Sequence, residues 1–146
     1  VNLIQKHKRE SWIVFTENKK QANEFNKIIN TKGFKSALYN TDLDSAERLE
    51  NLNRFKKADL NVLVTCTALD EGFDMPEADG ALILSASSSK RQRVQRMGRV
   101  LRITENKPNA LIVTVYSSKT EFDKLMEEAK RYHKEGVPVS WKRQDR

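Results

Sequence analysis

The stretch "QRMGRVLR" at positions 95–102 sets three arginines, a glutamine and a glycine within eight residues. On a helix turning 100° per residue, and taking Gln92 as zero, Gln95 falls at ~300°, Arg99 at ~340° and Arg102 at ~280°. Val94, Met97 and Leu101 fall within ~140–200°, so one face buries and the opposite face presents Gln92, Gln95, Arg99 and Arg102. Arginine suits a phosphate on that face because its planar, permanently charged fork donates paired hydrogen bonds. Gly98 costs a helix ~1 kcal/mol relative to alanine, and its place mid-pattern points to something that must come close. The competing reading is a solvated basic stripe with an incidental glycine, and periodicity alone leaves both open. Ser87, Ser88 and Ser89 offer a cap for a helix beginning near Lys90.

A second stretch, "CTALDEGFDMPEAD" (66–79), is rich in carboxylates: Asp70, Glu71, Asp74, Glu77 and Asp79. A strand followed by Asp-Glu invites comparison with a magnesium-binding pair of nucleotide hydrolases. Such a pair sits at the strand's own end, whereas here Glu71 lies well beyond Thr65. That reading is rejected. Gly72 would permit a tight turn or a close approach of backbone to ligand, against the plainer reading of a turn with helix-capping acids. No G-x-x-x-x-G-K-[ST] run occurs, because Gly33, Gly72, Gly80, Gly98 and Gly136 all lack the required neighbours. The chain by itself is not expected to hold ATP productively.

The elements that must position these residues are legible as patterns. Short apolar runs rich in β-branched residues stand at "SWIVF" (11–15), "NVLVT" (61–65), "GALIL" (80–84) and "ALIVTVY" (110–116), with a weaker one at "KSALY" (35–39). Runs of this kind suit strands covered on both faces. Between them lie helical patterns with start signals: Asn18 with Gln21 before Ala22, Phe25, Ile28 and Ile29, and Asp44 with Glu47 before Leu49, Leu52 and Phe55. A third begins at Thr120 with Asp123 and is expected to end at Gly136. Strand alternating with helix predicts an α/β fold, a three-layer, mostly parallel sheet flanked by helices and joined by right-handed crossovers. Ligands of such sheets bind beyond the carboxyl ends of the strands, so the informative loops follow "WIVF", "VLVT" and "LILS".

Totals narrow the class. The chain has 146 residues, and lysine and arginine outnumber aspartate and glutamate 27 to 20, a net charge of +7. A globule of this size buries roughly 68–70% of the surface its unfolded chain exposes, and the basic excess favours polyanions as partners. No apolar run approaches the ~18–20 residues of a membrane span, and no signal-peptide pattern opens the sequence; the expectation is a soluble, cytoplasmic or otherwise intracellular protein. A single cysteine, Cys66, with only His7 and His133 beside it, makes a structural zinc site an unpromising reading, and no metal site is assigned. The expected organisation is one domain over 1–146, with its core from residue 10 to 134 and a tail over 135–146. It opens at Val1 in "VNLIQKHKRE", which reads like the tail of a helix from a longer protein.

The order "WIVFT", "VLVTCTALDEGFDMP", "QRMGRVLR" resembles the second RecA-like lobe of superfamily 2 helicases and translocases, where these stretches are called motifs IV, V and VI. The likeness covers most of the chain. Within the superfamily, "DEGFDMPEAD" and "QRMGRVLR" look most like the branch of XPB-type repair helicases, UvrB-like damage proteins and restriction-enzyme motors. The resemblance implies that Arg99 is an arginine finger, Arg102 its companion on the γ-phosphate, and Gln95 a sensor of that phosphate. It implies that Gly72 and Asp74 meet the ATP ribose and couple hydrolysis to movement. Thr16, Thr65 and Thr67 lie near the positions that hold the nucleic-acid backbone in this family, where hydroxyls and main-chain N–H groups contact phosphates without reading bases. ATP and Mg²⁺ would be bound mainly by an N-terminal lobe outside this chain, and DNA rather than RNA is the expected polymer.

Two departures from the family's pattern stand out. Many relatives have threonine where Cys66 stands, and a thiol is the poorer donor, so a phosphate contact there is in question; a buried small residue is the alternative. Many carry histidine-glycine where this chain has Tyr39-Asn40, although Arg48 and Phe55 still match. Three rivals share some of these features. A free-standing nucleic-acid-binding module has the charge but no need of Gln95, Gly98, Arg99 and Arg102 on one face. A nucleotide- or flavin-binding enzyme lacks its glycine-rich first loop here. A lobe that keeps the shape but has lost activity, serving as an interaction domain, fits the residues as well.

Overall fold

A computed structural model describes residues 11–40, 43–66, 78–84, 111–115 and 119–134. In chain order these form β1 (Trp12–Thr16), α1 (Lys19–Thr31), β2 (Ser36–Leu38), α2 (Ser45–Lys56), β3 (Val62–Thr65), β4 (Gly80–Leu84), β5 (Leu111–Thr114) and α3 (Lys119–Lys134). The strands make one sheet in the order β2-β3-β1-β4-β5, and every neighbouring pair is parallel. The chain divides into two compact units, Val1–Val115 and Tyr116–Arg146; the sheet with α1 and α2 belongs to the first, and α3 to the second.

Burial follows the two-residue period of the strands. Ile13, Phe15, Leu63, Ala81 and Ile83 face one side, where they pack with Phe55 of α2 and with Leu60. Trp12, Val14, Val62, Val64 and Leu82 face the other, against Ala22 and Ile29 of α1 and Phe34. The two helices therefore cover opposite faces, giving the three layers expected from the sequence. Right-handed crossovers demand this, because the chain moves outward from β1 to β2 and then back from β2 to β3. Side chains of this kind contribute roughly 1.5–3 kcal/mol each when fully buried.

Local signals set the helix ends. Asn18 Oδ1 accepts from Gln21 N at 2.8 Å and Asp44 Oδ1 accepts from Glu47 N at 2.8 Å, so both expected N-caps are in place. At the other end of α1, Gly33 N donates to Asn30 O and Phe34 N to Ile29 O, with Gly33 at φ +87°; this is the Schellman closure. α2 closes the same way, Ala58 N donating to Phe55 O and Asp59 N to Arg54 O, but with Ala58 at φ +63° where glycine is usual. Gly80 answers a different need: a Cβ there would lie 2.7 Å from the indole ring of Trp12 on the adjacent strand.

Several expectations shift. The strand expected over 35–39 is confined to Ser36–Leu38; within the one expected over 110–116, Leu111–Thr114 is strand and Val115 lies past its end, while 110 and 116 fall outside the described residues. α3 begins at Lys119, so Thr120 is its second residue and not its cap; Ser117, Ser118 and Thr120 are all capping types, and the pattern does not choose among them. Ile28 and Leu49, which belong to the apolar patterns of the two helices, are 48% and 58% exposed. Each stands about 120° around its helix from a residue that does face the sheet, Ala22 and Phe55 respectively. The expected helix bearing 95–102, the loop residues 67–77 and the tail 135–146 lie outside the described residues.

Candidate nucleic-acid interface

The carboxyl ends of β1, β3 and β2 lie side by side, and hydrogen bonds cross them in sequence. β1 ends at Thr16, whose hydroxyl proton is shared between Asn18 O at 3.2 Å and Thr65 O at 3.4 Å, the shorter bond being the stronger. β3 ends at Thr65, whose hydroxyl donates to Tyr39 O at 2.7 Å. Thr16 is 1% exposed and Thr65 0%. Both hydroxyl protons are thus spent on main-chain carbonyls away from water.

Beyond Thr65 the chain passes Cys66, a buried cysteine. Its N–H donates to Asn40 Oδ1 at 3.1 Å and its thiol lies 3.4 Å from the same oxygen. Asn40, just past the end of β2, is itself buried. Cys66 accordingly behaves as the buried small residue that the sequence allowed. In sequence, Asn40 stands out only as a departure from a family pattern. No local signal marks it, since its partner is 26 residues away and only the parallel pairing of β2 with β3 brings the two together.

Of the expected nucleic-acid contacts, Thr16 and Thr65 are brought together at this edge, while Thr67 lies outside the described residues. Gly72, Asp74, Gln95, Arg99 and Arg102 also fall outside them. At the opposite end of the sheet, Asp79 Oδ2 accepts from Ser11 N at 2.8 Å and from the Ser11 hydroxyl at 3.2 Å, clamping the starts of β1 and β4. Among the described residues no helix is long and apolar enough to cross a membrane, and no group of three or more His, Cys, Asp or Glu side chains could hold a metal ion.

The profile of the helicase conserved C-terminal domain matches residues 1–104. The DNA 3'-5' translocase XPB2 of Sulfurisphaera tokodaii is 35% identical over 118 residues, 81% of this chain and 25% of that protein. The ATP-dependent rRNA helicase RRP3 of Scheffersomyces stipitis is 25% identical over 116 residues, 80% of this chain and 24% of that protein. The chain thus spans about a quarter of the length of these relatives. Among solved structures, a DEAD box protein from Methanococcus jannaschii superposes with a TM-score of 0.69 at 21% identity, covering 94% of this chain and 36% of that one. This likeness bears on the fold, a RecA-like lobe.

Proposed function

Because the chain belongs to the helicase conserved C-terminal domain family of superfamily 2, we propose that it is the second motor lobe of an ATP-dependent nucleic-acid helicase or translocase. The observation that carries the reading is the extent of the family match: residues 1–104 contain every candidate site residue, from Thr16 to Arg102. The sequence has no phosphate-cradling glycine-lysine loop, so in this reading ATP and Mg²⁺ are held by another lobe. Arg99 and Arg102 reach the γ-phosphate across the cleft between the lobes, and Gln95 reads its presence from the same face.

Phosphoryl transfer depends on positioning and on stabilising charge that spreads over the transferred oxygens. A guanidinium supplied across a cleft acts only when the lobes close, which ties hydrolysis to closure. Gly72 and Asp74 meet the ribose and pass the closed or open state to the strand ends. There, Thr67 and the main chain around Thr16 and Thr65 hold nucleic-acid phosphates, the two buried hydroxyls bracing the backbone that makes the contact. Alternate closure and release then moves the polymer.

DNA is the proposed polymer, in keeping with the XPB2 relative; the RRP3 relative makes RNA the comparison to run. In the full-length protein, Arg99→Ala is expected to lower nucleic-acid-stimulated ATPase activity by ~10³-fold or more while thermal unfolding stays nearly unchanged. The isolated chain is expected to show no ATPase activity above blank. A fully active Arg99→Ala protein would move the finger elsewhere, whereas a parent without ATPase activity would leave the interaction-domain reading in its place. Stimulation by single-stranded DNA and by RNA of the same sequence decides the polymer.

A further inference from the structure

The last ladder pair between β2 and β3 is Leu38 with Val64. Past it, Tyr39 N still donates to Val64 O at 2.8 Å. From there side chains take over from the main-chain ladder. Tyr39 O accepts from the Thr65 hydroxyl, and Cys66 N donates to the Asn40 carboxamide in place of a backbone carbonyl. A side-chain oxygen of β2's exit thus holds the main chain at Cys66, the residue following β3.

Asparagine suits this position because its carbonyl oxygen has two lone pairs, enough for both the N–H and the thiol of Cys66. Asn40 and Cys66 are each 2% exposed. Water does not compete for these bonds, and a buried N–H without its acceptor would carry the full desolvation penalty. Through the Thr16–Thr65 contact the same line of bonds continues to β1, so three strand ends are held at fixed relative heights.

We infer that Asn40 is a positioning residue for the proposed nucleic-acid track: it holds the main chain of Cys66 level with the ends of β1 and β2, where Thr16 and Thr65 brace the backbone proposed to meet phosphates. The inference rests on the motor-lobe reading above. A purely stabilising asparagine would matter to unfolding alone. A positioning one alters how much nucleic acid is needed, with the chemistry at saturation preserved.

The test uses the full-length protein and a single-stranded DNA oligonucleotide, measuring ATPase activity against DNA concentration together with thermal unfolding. Asn40→Ala is expected to raise the DNA concentration for half-maximal stimulation about tenfold, the equivalent of one lost hydrogen bond, with the maximal rate within about twofold of the parent. Asn40→Leu, which fills the space but accepts nothing, is expected to do the same, and serves if the alanine variant does not fold. Asp79→Ala breaks the clamp at the opposite end of the sheet and is expected to lower the unfolding temperature without changing the DNA dependence. An unchanged DNA dependence in the Asn40 variants, or an equal shift in Asp79→Ala, overturns the positioning role and leaves the motor reading intact. A parent whose ATPase responds to no nucleic acid overturns both.

Discussion

Ala58 sits at φ +63° in the closing turn of α2, a conformation in which its Cβ crowds the following carbonyl. The equivalent turn of α1 uses Gly33 at φ +87° and avoids that crowding. Left-handed backbone costs an L-residue ~1–2 kcal/mol, while glycine gives back ~0.5–1 kcal/mol through its freer unfolded chain. Ala58→Gly should therefore stabilise the chain by roughly 0.5–1 kcal/mol and raise its unfolding temperature by about 2–4 °C. A melting curve of the variant at or below the parent's would show that this turn does not demand the left-handed region. The same scale explains what was hard to read at the strand ends: Asn40, Thr16 and Thr65 look like ordinary loop-edge residues in sequence, and the bonds that join one strand end to the next span 26 to 49 positions.

At the scale of elements, α1 shows how a helix's orientation decides which of two adjacent isoleucines matters. Ile29 is fully buried against Trp12, Val14 and Val64, whereas Ile28 stands about half exposed. Ile29→Ala removes packed atoms and leaves a cavity, so it should cost about 2–5 kcal/mol; Ile28→Ala should stay within roughly 0.5 kcal/mol. Urea unfolding midpoints of the two variants would separate them clearly, and comparable losses would mean that α1 is rotated from its described position. Both N-caps, by contrast, are read directly from Asn18 and Asp44, because a cap involves residues only three apart.

For the whole molecule, the excess of 27 basic over 20 acidic residues makes association with a polyanion dependent on released counterions. Binding of the full-length protein to single-stranded DNA should weaken as salt rises, with log K falling by about 0.7 per phosphate contact for each unit of log salt. Removing a phosphate-contacting residue should make that slope shallower by about that amount, whereas Arg99→Ala, at a residue proposed to contact the nucleotide, should leave it unchanged. A slope that does change in Arg99→Ala would place this arginine on the nucleic acid.

By itself, the sequence determined the strand runs, the two caps, the α/β class and the helicase resemblance, since each depends on residue types at short spacing: period two in a strand, three residues across a cap, eight residues in "QRMGRVLR". Only the tertiary structure decided that β1 lies between β3 and β4, that Trp12 leaves no room for a side chain at Gly80, and that Asn40 meets Cys66. These follow from parallel pairing, in which strands distant along the chain become neighbours 4.7–4.9 Å apart. Such contacts are fixed by how the faces of the whole sheet are covered, and no short window of residues carries that information.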